Sequence, residues 1–273
     1  MSKWKNAPVA YVILQVKFSP VLSLQSYVAP IQEHFRKSGF PAFGTRFNFQ
    51  LAATIPQPLP SEESVPPPIP VERSLSYVFS SRDKNRSFVL EQNALTLHVT
   101  DYEDFNWFVE LFTSQLTHID EVIKPDSSER IGIRYIDAVI PRSGYSLSEY
   151  LIPEVLALSQ KVEPATLQHS YSETVMIDEN ITTVARIITR NGNIVFPPDM
   201  LSLPVAVNSR FTNHSGPHAV LDTDSFQVES VPMNVPAIQE KVTKLHGSVD
   251  EAFTMISTDF ARKDWKGQID DLA

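Results

Sequence analysis

From Val9 to Phe18 the chain is rich in β-branched and aromatic residues and ends at Ser19-Pro20, the pattern of a strand. Leu24, Tyr27 or Val28, Ile31 and Phe35 then fall three or four apart, which predicts a helix stopped by Ser38-Gly39. Phe47, Phe49 and Leu51 alternate with Arg46, Asn48 and Gln50, as a half-buried strand requires. Between Pro56 and Pro70 stand seven prolines in fifteen residues, a density that excludes helix and central strand. The stretch 55–72 therefore reads as an exposed loop, although Pro67-Pro68-Ile69-Pro70 also fits a polyproline ligand.

Three short alternating runs follow, around Leu75–Phe79, Phe88–Leu90 and Leu95–Val99, and read as an antiparallel meander turning at Arg82–Arg86 and Gln92-Asn93. Thr100-Asp101-Tyr102-Glu103 has the spacing of a capping box for a helix with Phe105, Phe108, Phe112 and Ile119 on its buried stripe. Lys124-Pro125-Asp126 ends that helix before a strand at Arg130–Asp137. This order resembles a ferredoxin-like split βαβ with an extra hairpin, an antiparallel sheet with helices on one face.

The second half reads differently. Ser146-Leu147-Ser148-Glu149 is a capping box, and Pro153 forces the helix it opens to stop or restart. Two long strands are expected at Ala165–Ile177 and Ile181–Arg190, with Asn191-Gly192 as a hairpin turn into Ile194–Phe196. Further strands are expected near Leu203–Phe211 and Ala219–Phe226. Asn234 then caps one long helix with Val242, Leu245, Val249, Phe253, Ile256 and Phe260 on its stripe. The predicted class is thus α+β: residues 1–143 an α+β module, and 144–273 an antiparallel sheet closed by a C-terminal helix.

Composition narrows the classes. The 273 residues contain no cysteine, which removes disulfides, thiolate nucleophiles and cysteine–zinc sites together. The net charge of −9 disfavours bulk binding of nucleic acid, whose phosphates such a surface repels. No run approaches the roughly 18 apolar residues of a membrane span, and Gln15 and Lys17 interrupt the first apolar stretch as no signal peptide would. A cytoplasmic location is expected.

Four landmarks carry a family resemblance: Asn6-Ala7-Pro8, Arg130-Ile131-Gly132-Ile133-Arg134-Tyr135-Ile136-Asp137, Leu221-Asp222-Thr223-Asp224-Ser225-Phe226, and Leu245-His246 with Phe253. Together they resemble a sporadically distributed, uncharacterised bacterial family of about this length. The resemblance implies an architecture but no activity and no site residues. Its sporadic distribution suits accessory factors of host–phage conflict or toxin–antitoxin pairs.

Candidate chemistry rests on a few side chains. Arg130 and Arg134, four apart on a strand, share a face with Gly132 between them. They could fork onto a carboxylate or phosphate, or pair with acidic neighbours to tie the halves together. Asp222 and Asp224 also share a strand face and could hold a divalent cation or answer the two arginines. His169 and Tyr171 could line a pocket or fill a half-polar sheet. His246 beside an apolar stripe reads as a buried, satisfied histidine, and Gly216-Pro217 keeps His214 and His218 off a helix. No GxSxG, Walker A, GxGxxG or HExxH motif is present.

The expectation is a non-enzymatic protein, without a cofactor, that binds a protein partner or a small anionic ligand and is compatible with a homo-oligomer. The alternative is a metal-dependent phosphoester or nucleotide enzyme, with the arginines on phosphate and the aspartates on the cation.

Overall fold

A computed structural model describes residues 4–51, 71–162, 166–200 and 203–269. β1 (Val9–Phe18) leads through a 3-10 turn at Leu24–Tyr27 into α1 (Val28–Lys37), followed by β2 (Ala42–Leu51). β3 (Val71–Ser80), β4 (Arg86–Glu91) and β5 (Ala94–Val99) form the expected meander. α2 (Phe105–Ile123) and β6 (Ser127–Val139) come next, then the single turns α3 (Leu147–Tyr150) and α4 (Pro153–Leu156). β7 (His169–Asp178) and β8 (Ile181–Asn193) make a hairpin. The short α5 (Ser209–Thr212) precedes β9 (Ser215–Pro232), α6 (Val235–Ile256) and α7 (Asp259–Trp265).

The nine strands among the described residues form one sheet in the order β2-β3-β4-β5-β1-β6-β9-β8-β7, with each neighbouring pair antiparallel. The sheet runs unbroken across residues 143 and 144, because β6 pairs with β9 from Ser127–Pro232 to Val139–Ala219. The reason lies in the alternation of β1. Val12, Leu14, Val16 and Phe18 all point to one side, where they meet Phe35 of α1, Phe108 and Phe112 of α2, and Val242 and Leu245 of α6 in one core. Tyr11, Ile13 and Gln15 point to the other side, which among the described residues has no long helix over it. A strap, described over residues 194–200 and 203–211, crosses part of this second face, where Met200 and Val205 pack on Tyr11, Ile136 and Val220. No described helix is long and apolar enough to cross a membrane.

Several expected elements are corrected. The cap of α2 is Asp104, whose carboxylate accepts from Trp107 N–H at 2.9 Å; Asp101 and Glu103 bind Arg86 instead. Asn191-Gly192 does not turn: β8 continues to Asn193, with Gly192 facing Gly216 across the ladder and both at positive φ. Ile194–Phe196 is therefore no strand, and Ile194 and Phe196 lie in the strap. Nor is Leu203–Phe211 a strand. Pro204 lacks an N–H, and the strap's backbone is satisfied by Ser87 donating to Pro204 O, Ala206 N–H donating to Lys84 O and Thr100 donating to Ala206 O. The last helix is two: α6 ends at Ile256, and Thr258 caps α7 by accepting from Ala261 N–H, so Phe260 belongs to α7. β7 starts at His169 rather than Ala165, which falls with residues 163–164 outside the described set. The proline-rich loop also lies outside the described residues, apart from Val71 and Glu72, which open β3. The capping box at Ser146 and the restart at Pro153 are both present.

Candidate functional site

The register of the sheet sets side chains of neighbouring strands in rows on the open face. Gln15 on β1 stands between Thr96 on β5 and Gly132 on β6, and Gly132 stands beside Phe226 on β9. In the next row His98, Ile13, Arg134 and Asp224 follow one another. These rows floor a groove of about 380 Å³, which Asp199 and Pro204 of the strap wall on one side and which extends to Ser76 and Arg46.

The four charged residues singled out in the sequence meet here, but not equally. Arg134 donates twice to Asp222, at 2.6 and 2.8 Å, and twice to Asp199, at 2.5 and 3.3 Å. Burial works against its charge, yet the hydrogen bonds to Asp222 and Asp199 outweigh that and raise its pKa further. Asp222 is almost wholly enclosed, at 1% exposure, and Arg186 of β8 lies 3.5 Å from it. Arg186 in turn donates to Glu173 of β7 at 2.6 Å, and Tyr171 donates to the same carboxylate at 2.8 Å. An alternating chain of charge thus crosses β7, β8, β9 and β6 and ends on the strap. Arg134 and Asp222 are saturated components of the fold.

Arg130 and Asp224 are not. The Arg130 guanidinium reaches Gln15 Oε1 only at 3.4 Å and Asp224 only at 3.7 Å, beyond good hydrogen-bond length. It lies over the Phe226 ring, 4.6 Å from the centroid, and occupies the space above Gly132. A Cβ at residue 132 would come 2.8 Å from Nη1, so glycine is needed to seat it. Asp224 accepts no hydrogen bond among the described residues, and burial raises its pKa while Arg130 and Arg134 lower it. Beside them, Gln15 donates to Thr96 at 3.0 Å. His98, bonded to the Tyr11 hydroxyl at 2.7 Å, is held neutral by burial and the field of Arg46, with its pKa pulled down to about 3.

The remaining sequence candidates lie elsewhere. His169 and Tyr171 are exposed on the edge strand β7; Tyr171 joins the end of the charge chain by donating to Glu173. Asp222 and Asp224 share a face of β9, and no three His, Asp or Glu side chains among the described residues are grouped to hold a metal. His246 is half-buried against Phe105, ring centroids 3.9 Å apart, with desolvation lowering its pKa. Asp199, Arg186, Gln15 and Thr96 escaped the sequence reading. Only Gln15 left a signal there, as a polar residue inside an apolar strand. Asp199 had none, because its place depends on where the strap crosses.

No family model, no curated protein and no solved structure matches the chain.

Proposed function

We propose that this protein is a non-catalytic binding protein that takes a small anionic ligand into the open-face groove, with Arg130 as its anchor. The supporting observation is the state of that one side chain. A guanidinium has five donors, and among the described residues Arg130 spends none of them at good length while Gly132 and Phe226 fix its position. Its pairing with Asp224 at 3.7 Å, with about a quarter of each side chain exposed, stabilises the fold by only about 0–1 kcal/mol. A ligand carboxylate or phosphate would make charge-assisted, bidentate bonds roughly twice as strong as neutral ones. Arg134 is the poorer anchor, since four of its five donors are already bound to Asp222 and Asp199. We read the scaffold's first six strands as a ferredoxin-like split βαβ with an inserted hairpin, extended by β9, β8 and β7.

Calorimetric titration with propionate and inorganic phosphate tests the reading on wild type, Arg130→Gln and Gly132→Ala. Wild type should bind, and Arg130→Gln should lose at least tenfold in affinity. Gly132→Ala should also weaken binding with little loss of stability, since the atom displaced is the end of a flexible side chain. Equal binding by wild type and Arg130→Gln, or no binding of any carboxylate or phosphate ligand by wild type, would refute it.

A further inference from the structure

Resting on that reading, we infer that the ligand is amphoteric, with a protonated amine close to its anionic group, and that the site takes a free α-amino acid. Arg130 alone would suit any small anion. What narrows the class is Asp224 beside it. This carboxylate faces the same groove, sits largely enclosed, and accepts no hydrogen bond among the described residues. Its ion pair with Arg130 is long, at 3.7 Å, so its lone pairs stay open to a donor brought by a ligand.

It also makes the groove a weaker receptor for a plain anion than for an amphoteric molecule. A carboxylate or phosphate resting on Arg130 would lie close to Asp224, and the like charges would repel. An ammonium on the ligand reverses the sign of that contact. The spacing selects which amphoteric molecules fit. Arg130 Nη2 and Asp224 Oδ2 are 3.7 Å apart. A ligand must therefore carry its two charges at a comparable separation and lie across the pair head to tail, carboxylate on Arg130 and ammonium on Asp224. In an α-amino acid the two groups share one carbon and meet that spacing. In a dipeptide the termini stand farther apart, and one of them would miss.

The groove is larger than the charged pair needs. Its volume of about 380 Å³ continues past Gln15 and Thr96 toward Ser76 and Arg46, in line with the pair along the strand rows. An α-amino acid seated on Arg130 and Asp224 would direct its side chain there, against hydroxyl, amide and guanidinium groups and the carboxylate of Glu91, which favours a polar side chain. Asp199 and Arg134 border the site but are bound to each other and hold the strap that walls it.

The test separates this inference from the anion reading. Propionate is L-alanine without its ammonium group, and ethylamine is L-alanine without its carboxylate, so the three compounds present both charges or one of each. In titrations of wild type, L-alanine should bind at least tenfold more tightly than propionate, the gain expected of one added charge-assisted hydrogen bond. Ethylamine should be the weakest. Asp224→Asn should reduce L-alanine to the level of propionate while leaving propionate bound as well or better, because the repelling charge is gone. Arg130→Gln should weaken both. That variant and Asp224→Asn remove no good hydrogen bond, and their melting curves show whether each is folded. If propionate binds wild type as tightly as L-alanine does, the amphoteric ligand is excluded and the anion site stands. If Asp224→Asn leaves the advantage of L-alanine intact, the inference falls as well. If neither L-alanine nor propionate binds wild type, both proposals fall together.

Discussion

Replacing Asp137 with asparagine is expected to stabilise this protein above pH 7 and to change little at pH 4. Asp137 stands on β6 opposite Leu221 of β9, on the same strand face as Ile133 and Tyr135. It is 6% exposed and has no hydrogen-bond partner among the described residues. Burial alone raises its pKa from 3.8 to about 7. The folded protein therefore holds a proton that the unfolded chain gives up between about pH 4 and pH 7. Stability from this group is full below pH 4 and falls as pH rises, by up to 1.36 kcal/mol per unit, until the folded pKa is passed. Over the roughly three units of that window the loss reaches about 4 kcal/mol. An asparagine has no charge to desolvate and escapes it. Urea unfolding of wild type and Asp137→Asn at pH 4, 5, 6, 7 and 8 should show a difference near zero at pH 4 that grows steadily and levels off above pH 7. A difference independent of pH, or a variant less stable at pH 8, would mean that the carboxylate is ionised and partnered in the fold, and the reasoning would fail.

His98 should act in the opposite sense. Its pKa falls from 6.5 to about 3 by burial, so the unfolded chain binds the extra proton and stability drops as pH falls through that window; in His98→Gln this acid loss should vanish from the urea curves, leaving the opposite slope of Asp137 exposed. Arg134→Ala should cost about 3–5 kcal/mol in chemical denaturation, because it leaves the enclosed Asp222 with only Arg186 at 3.5 Å. A loss no larger than that of a surface substitution would show that the charge chain does not hold the strap and sheet together. Leu245→Ala, at a position with no exposed surface in the main core, should cost about 2–5 kcal/mol by the same measurement. Asp104→Ala should cost about 1 kcal/mol through loss of the α2 cap, and no loss would return the cap to Thr100.

Local chemistry was legible in the chain itself. β1 shows its two faces by alternation, α1 and α6 their buried stripes, and Asn234, Ser146 and Gly39 their caps and stops, because each of these depends on residues a few positions apart. Same-face placement of Arg130 with Arg134, and of Asp222 with Asp224, follows from strand geometry alone. Where the signal was local but the competing interaction was not, the reading failed. Asn191-Gly192 has the composition of a turn, yet β9 offered Gly216 as a partner and the strand ran on. Leu203–Phe211 has the apolar content of a strand, yet its carbonyls and amides find Lys84, Ser87 and Thr100, more than a hundred residues away, so it lies flat as a strap. The division of labour among the charged residues was likewise invisible. Arg130 and Arg134 are equivalent in sequence. The register of β6 against β1 and β9, together with the position of Asp199, saturates one and leaves the other loosely held over Gly132. Hydrogen bonds in a sheet join residues distant in the chain, and which partners they find depends on the packing of the whole molecule.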